Sequence, residues 1–224
     1  MIPRYVITRI FQLKYDDVTG TCFIIEINNR QYICTAKHCL LSFNGGLIEI
    51  YHDNQWKSLD VSMVGHGSYG TDISVLAPST HLCGASQLVS ADESGIRYGQ
   101  DVFFLGFPYN MRMDGKDLNR QFPIPFVKKA TISAFTSSDV SETVLFLDGH
   151  NNPGFSGGPV VSSPREGHQD GWRIAGIVSG HGSNPIPVTS KDGEETGDLI
   201  YANTGLRKFA NCSGLFPQFC CFLS

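Results

Sequence analysis

Gly, Asn, Asp and Pro interrupt this sequence so often that every apolar run is short. The runs between them are Cys22–Ile27, Gln31–Thr35, Leu47–Tyr51, Val61–Val64, Ile73–Leu76, Val102–Gly106, Val127–Phe135, Val144–Leu147, Pro159–Ser162, Trp172–Ser179 and Leu199–Ala202. Many alternate or are rich in β-branched and aromatic residues, and turn-forming residues bound them, which is the strand pattern. Asn28-Asn29-Arg30 reads as a hairpin turn between the first two. So many short strands predict an all-β chain, a sandwich or a pair of barrels. The best helix candidate is Thr204–Ala210, near the carboxyl end. With 224 residues, 41% hydrophobic and 17% charged, the chain can bury a substantial core and is not a disordered polypeptide. No stretch approaches the roughly 20 apolar residues that span a bilayer. A net charge of −4 with scattered Lys and Arg carries no nucleic-acid signature.

One stretch departs from the strand grammar. Asn152-Pro153-Gly154-Phe155-Ser156-Gly157-Gly158-Pro159-Val160 sets a single hydroxyl in a run where four of the six residues from Gly154 to Pro159 are Gly or Pro. Gly reaches positive φ and Pro fixes φ, so such a turn can aim several backbone N–H groups at one point beside Ser156. That arrangement stabilises an oxyanion during acyl transfer. A nucleophilic serine also needs a base and a residue that orients the base. His38, at the end of Ile33-Cys34-Thr35-Ala36-Lys37-His38-Cys39, is the candidate base, since imidazole titrates near neutrality. Asp72, at the start of the buried run Asp72-Ile73-Ser74-Val75-Leu76, is the candidate orienting carboxylate, with Asp53 and Asp60 as alternatives.

These three segments resemble the motifs of the trypsin-like (chymotrypsin-fold) serine peptidases. Thr35-Ala36-Lys37-His38-Cys39 is similar to their T/S-A-x-H-C motif, Asp72-Ile73-Ser74-Val75-Leu76 to D-I-A-V/L-L, and Gly154-Phe155-Ser156-Gly157-Gly158-Pro159 to G-x-S-G-G-P. The order His, Asp, Ser is the same. Intervals of 34 residues from His38 to Asp72 and 84 from Asp72 to Ser156 resemble the compact bacterial, HtrA-like branch. The resemblance covers roughly residues 15–210. It implies two six-stranded antiparallel β-barrels with the catalytic cleft between them, and a short C-terminal helix at Thr204–Ala210. It implies an N-terminal barrel over residues 1–90, carrying His38 and Asp72, and a C-terminal barrel over 91–224, carrying Ser156. The linker falls near Pro78–Gln100. By the same resemblance Ser156 attacks the scissile carbonyl, His38 moves the proton, Asp72 orients His38, and the N–H groups of Gly154 and Ser156 form the oxyanion hole. No cofactor or metal is implied, and the partner is a protein or peptide substrate.

The chain departs from the family at the residue before the nucleophile. Secreted members place an Asp there, which pairs with an amine freed by activation cleavage. Phe155 cannot accept that ion pair, so no zymogen mechanism of that type is expected, and an activating partner is an alternative way to set the loop. Six residues before Ser156, at the position resembling the base of the specificity pocket, stands His150. Ala175-Gly176-Ile177-Val178-Ser179-Gly180-His181-Gly182 resembles the strand that pairs with substrate, so Ser179, Gly180 and His181 are candidate substrate-binding residues. Ser179 also matches the position that supports the triad Asp. His150 and His181 read equally as loop surface. Pro108–Pro125 and Asn184–Gly197 read as variable loops, at the rim of a cleft or simply solvated.

Seven cysteines and no apolar leader at Met1-Ile2-Pro3-Arg4 point to reduced thiols and a cytoplasmic protein. A Cys22–Cys39 bridge is the alternative that the family suggests. The terminal Cys221-Phe222-Leu223-Ser224 matches a prenylation motif in form, but no polybasic segment precedes it; an apolar packing tail is the simpler reading.

Overall fold

The computed structural model describes residues 1–67, 71–84, 89–91, 96–114, 119, 121–135, 144–164, 171–179, 183–203 and 206–211. After a single helical turn, α1 (Arg4–Ile7), six strands form a closed barrel: β1 (Ile10–Tyr15), β2 (Val18–Ile27), β3 (Arg30–Thr35), β4 (Gly46–His52), β5 (Gln55–His66) and β6 (Ser74–Pro78). Their order around the ring is β1-β2-β3-β6-β5-β4, closed by antiparallel pairing of β1 with β4. The hairpins are turned by short polar residues in the left-handed region: Asn28 and Asn29 at φ 49° and 61°, and Asp53 and Asn54 at φ 53° and 59°. Two such residues in succession match the right-handed twist of the flanking strands.

A second sheet follows: β7 (Ser90–Ala91), β8 (Asp101–Gly106), then, after the short pair β9 (Met113–Asp114) and β10 (Pro123–Ile124), β11 (Phe126–Phe135), β12 (Val144–Asp148), β13 (Pro159–Ser162) and β14 (Arg173–Val178). Among the described residues a hairpin of β15 (Ser183–Thr189) and β16 (Glu195–Asn203) and then strand β17 (Leu206–Asn211) follow. The sheet runs β13-β8-β11-β12-β17-β14-β7, and a further pairing of β13 with β14 closes six of its seven strands into a ring. β7 adds to β14 in parallel, outside the ring.

Two expectations are corrected here. Thr204–Ala210 was expected as a helix, yet its described part is strand β17, paired with β12 on one side and β14 on the other. Without it both neighbours would present unpaired backbone edges, and that cost outweighs local helix propensity. Asn184–Gly197, expected as a loop, lies mostly in the β15–β16 hairpin, and the strand expected at Leu199–Ala202 pairs within that hairpin, not with the barrel. Residues 212–224, including Cys212, Cys220 and Cys221, lie outside the described residues.

The core has three parts. Phe11, Leu13, Cys22, Ile24, Ile33 and Leu76 fill barrel one. Val102, Phe104, Ile132, Leu147, Val160 and Phe155 fill barrel two. Between them lies a third cluster with Phe23, Ile25, Tyr32, Cys34, Leu105, Phe107, Ile174 and Ile177. Alternation along β2 and β3 explains the split: Cys22, Ile24 and Ile33 point into the barrel, while Phe23, Ile25, Tyr32 and Cys34 point at its neighbour. Strands that bury both faces read as near-continuous apolar runs, as Ile174–Val178 of β14 does, with Arg173 the one charged residue buried in that strand.

Candidate active site

His38 sits in a 3-10 turn, Lys37–Leu40, at the end of β3. Asp72 lies two residues before β6, the strand hydrogen-bonded to β3. That pairing brings together two residues 34 apart in sequence. Asp72 Oδ2 is 2.6 Å from His38 Nδ1, and its Oδ1 accepts from the His38 backbone N–H at 2.9 Å. The Ser179 hydroxyl, at the end of β14, donates to Oδ2 at 3.1 Å. Three donors thus hold one carboxylate. The hydrogen bond to Asp72, and next the one to Cys39, raise the His38 pKa above its ordinary 6.5, against the lowering effect of partial burial. With Nδ1–H directed at Asp72, the free lone pair of a neutral imidazole lies on Nε2. Of the alternative carboxylates, Asp53 is engaged elsewhere, by Lys57 and His52.

Ser156, half-buried, lies on the loop that leads into β13. Glycine is required around it on steric grounds. A Cβ on Gly157 (φ +83°) would overlap Thr21 O and the Thr35 hydroxyl and stand 2.9 Å from Ala36 N. The residue after Ser156 therefore lies against the backbone two residues before His38. Gly158 has no room against Leu105 O, and Gly154 (φ +98°) none against Phe107 O. Phe155 is fully buried and meets Phe104 edge to face, ring centroids 5.0 Å apart. Burial of such a ring contributes about 2 kcal/mol, so the loop is anchored in the core of barrel two by the residue next to Ser156.

The hydrogen bonds of this loop follow a pattern. Phe155 N–H donates to Asn152 O (3.3 Å), Gly157 N–H to Val178 O (2.7 Å) and Gly158 N–H to Phe155 O (2.8 Å). Pro153 O accepts from Tyr109 N–H at 2.9 Å. The N–H groups of Gly154 and Ser156 have no acceptor among the described residues. In a trans peptide the carbonyl and N–H point opposite ways. Tyr109 and Gly158, by engaging the carbonyls of Pro153 and Phe155, turn the Gly154 and Ser156 N–H groups away from those partners. Lys128 reinforces the approach to the loop: its ammonium donates to His150 O (2.8 Å) and Asn152 Oδ1 and lies 5.4 Å from the Phe155 ring centroid.

His150 is exposed, and its backbone carbonyl is what engages Lys128. Ser179 directs its hydroxyl to Asp72, the supporting contact that its sequence position resembles. Gly180 and His181 lie outside the described residues. Cys22, Cys34, Cys39 and Cys83 are buried and form no disulfide, so no Cys22–Cys39 bridge is present. Sequence reasoning missed Thr21, Tyr109 and Lys128. The available signal for Thr21 was its hydroxyl within Gly20-Thr21-Cys22-Phe23-Ile24-Ile25, beside a glycine whose Cβ would come 3.2 Å from Ser156 O.

Comparison with known proteins agrees with this architecture. Residues 20–168 match the family described as the trypsin-like peptidase domain. Over 189 residues the chain is 30% identical to the serine protease Do-like HtrA of Bacillus subtilis (strain 168), covering 83% of this chain. The match spans 36% of that longer protein. Among solved structures, an inactive form of the Rv3671c protease of M. tuberculosis H37Rv superposes with a TM-score of 0.62 at 15% identity, over 96% of this chain and 89% of that one. The HtrA-type protease AlgW, solved with a tripeptide, gives a TM-score of 0.58 at 19% identity, over 93% of this chain and 57% of that one. At such identities the superpositions speak for the fold, and the sequence match speaks for kinship. The chain belongs to the trypsin-like peptidase family, and its sequence match stands closer to the HtrA-like branch.

Proposed function

We propose that this chain is a serine endopeptidase that cleaves protein or peptide substrates through Ser156, His38 and Asp72, with no amino-terminal activation cleavage. The observation that carries the reading is the alternation in the loop around Ser156: among the described residues the N–H groups of Gly154 and Ser156 have no acceptor, while those of Phe155, Gly157 and Gly158 are engaged. Ser156 Oγ attacks the scissile carbonyl carbon as His38 Nε2 takes its proton. The carbonyl oxygen becomes an oxyanion facing the two open N–H groups, each such donor being worth about 3–4 kcal/mol of barrier. Collapse breaks the C–N bond, His38 gives its proton to the leaving amine, and an acyl-enzyme remains on Ser156. Water then repeats the sequence and frees the acid. Asp72 keeps the proton on Nδ1 and stabilises the imidazolium. Phe155, packed in the core, supports the loop without the carboxylate that secreted relatives use.

A fluorophosphonate probe tests this directly. Labelling of Ser156 in the wild type, its loss in Ser156→Ala, and a fall of at least about 10³-fold in peptide hydrolysis are expected. A folded wild type that neither labels nor hydrolyses peptides would refute it.

A further inference from the structure

Thr21 lies on β2 in barrel one, fully buried, and reaches the nucleophile loop of barrel two with both backbone and side chain. Its N–H donates to Ser156 O at 2.9 Å. Its hydroxyl donates to Gly154 O at 2.7 Å and accepts from Phe107 N–H at 3.1 Å. Its own carbonyl accepts from the Thr35 hydroxyl at 2.8 Å, which ties it to the strand leading to His38. We infer that the Thr21 hydroxyl is a positioning residue for the oxyanion hole, an inference that rests on Ser156 being the nucleophile.

The peptide joining Gly154 to Phe155 lies between the two peptides that carry the open N–H groups. It is held at both ends: its carbonyl by Thr21 and its N–H by Asn152 O. The flanking peptides join this central plane at the Cα atoms of Gly154 and Phe155, so its orientation constrains both. Gly154, at φ +98°, has the conformational freedom to let the loop turn over if its carbonyl is released. Phe107, the other partner of the hydroxyl, stands directly behind Gly154, where a Cβ would collide with its carbonyl. One hydroxyl therefore links the backbone behind the loop to the loop itself. A Cβ on Gly106 would fall 2.8 Å from both the Thr21 hydroxyl and the Phe155 ring, so the packing leaves this bond no slack.

Thr21→Val keeps the branched shape and removes the hydroxyl, Thr21→Ala removes it without adding a methyl, and Thr21→Ser restores it. Expected is a fall of about 10–10²-fold in kcat and in the fluorophosphonate labelling rate for Val and Ala. KM should stay within about twofold and the pH midpoint of the acidic limb should not move, because His38 and Asp72 are untouched. Thr21→Ser should recover most of the wild-type rate. Wild-type labelling together with undiminished kcat in folded Thr21→Val and Thr21→Ala would overturn the inference and leave the function standing. If Val and Ala both fail to fold while the wild type labels, Thr21 belongs to the fold, and the inference is equally overturned. An unlabelled, folded wild type would instead strike the functional reading beneath it.

Discussion

The Ser179 hydroxyl, from barrel two, donates at 3.1 Å to the same Asp72 oxygen that His38 Nδ1 approaches at 2.6 Å from barrel one. The carboxylate is thus a joint between the two halves. Removing the Ser179 donor in Ser179→Ala concentrates charge on Oδ2. The acidic limb of kcat/KM should then move to higher pH, and kcat/KM should fall about tenfold, or about 1.4 kcal/mol. A pH–rate profile of the variant with an unmoved limb would contradict this role.

Asp72→Asn removes the largest influence holding the His38 pKa up. In the wild type the base is neutral only above that raised pKa, so activity should climb with pH through a midpoint above 6.5. In Asp72→Asn the midpoint should move down toward the ordinary imidazole range while kcat falls about 10⁴-fold. The same raised pKa has a stability consequence. Its contribution is full below about pH 6.5 and is lost as pH rises through the folded-state value. Denaturation midpoints measured across alkaline pH should show this loss in the wild type and a smaller one in Asp72→Asn.

Two glycines with the same φ should respond differently to alanine. Gly157 and Gly193 lie at φ +83° and +84°. An added Cβ at Gly193 meets nothing within 4 Å, whereas at Gly157 it meets the backbone of Thr21. Gly193→Ala should cost about 1 kcal/mol, the left-handed penalty alone. Gly157→Ala should cost about 3 kcal/mol or more and abolish labelling of Ser156. Chemical denaturation of the pair separates strain from steric conflict.

Burial pushes the Cys22 thiol well above its ordinary range and the Cys83 thiol up to about 11. Both should resist alkylation at pH 8 in the folded protein and react once it is unfolded, because the thiolate is the reactive form. Because an unfolded thiol ionises from about pH 8.5 upward, the stability these buried thiols lend should be full below that pH and decline above it. Mass spectrometry of alkylated peptides reads the first effect and alkaline melts the second.

The barrel strands were legible where burial imposes a period. Cys22–Ile27 and Gln31–Thr35 alternate between two apolar surroundings and have a left-handed Asn pair between them. The His38, Asp72 and Ser156 segments stood out in the sequence as a turn after β3, the lead into β6 and a glycine-rich loop, and those local forms are what the structure has. β17 was not legible, because Leu206–Asn211 becomes a strand through partners at residues 144–148 and 176–178 that a local reading does not include. The β15–β16 hairpin was hidden by Pro185 and Pro187, which lack the N–H that an interior strand requires. Two residues apart on a two-stranded ribbon, they can both turn their nitrogens to the unpaired side. The Thr21 hydroxyl was hidden for another reason: its partner, Gly154, is 133 residues away.

Barrel one closes with β6, which ends at Pro78, but the second ring stays open until β17, at Leu206–Asn211, has paired with β12 and β14. A chain emerging from the ribosome amino end first completes the half holding His38 and Asp72 early, while Ser156 waits for walls that are translated after it. Gly157 N–H has no acceptor until Val178 is in place, and Asp72 lacks its third donor until Ser179 follows. The order of synthesis therefore sets Ser156 on the chain well before the backbone that fixes its loop exists.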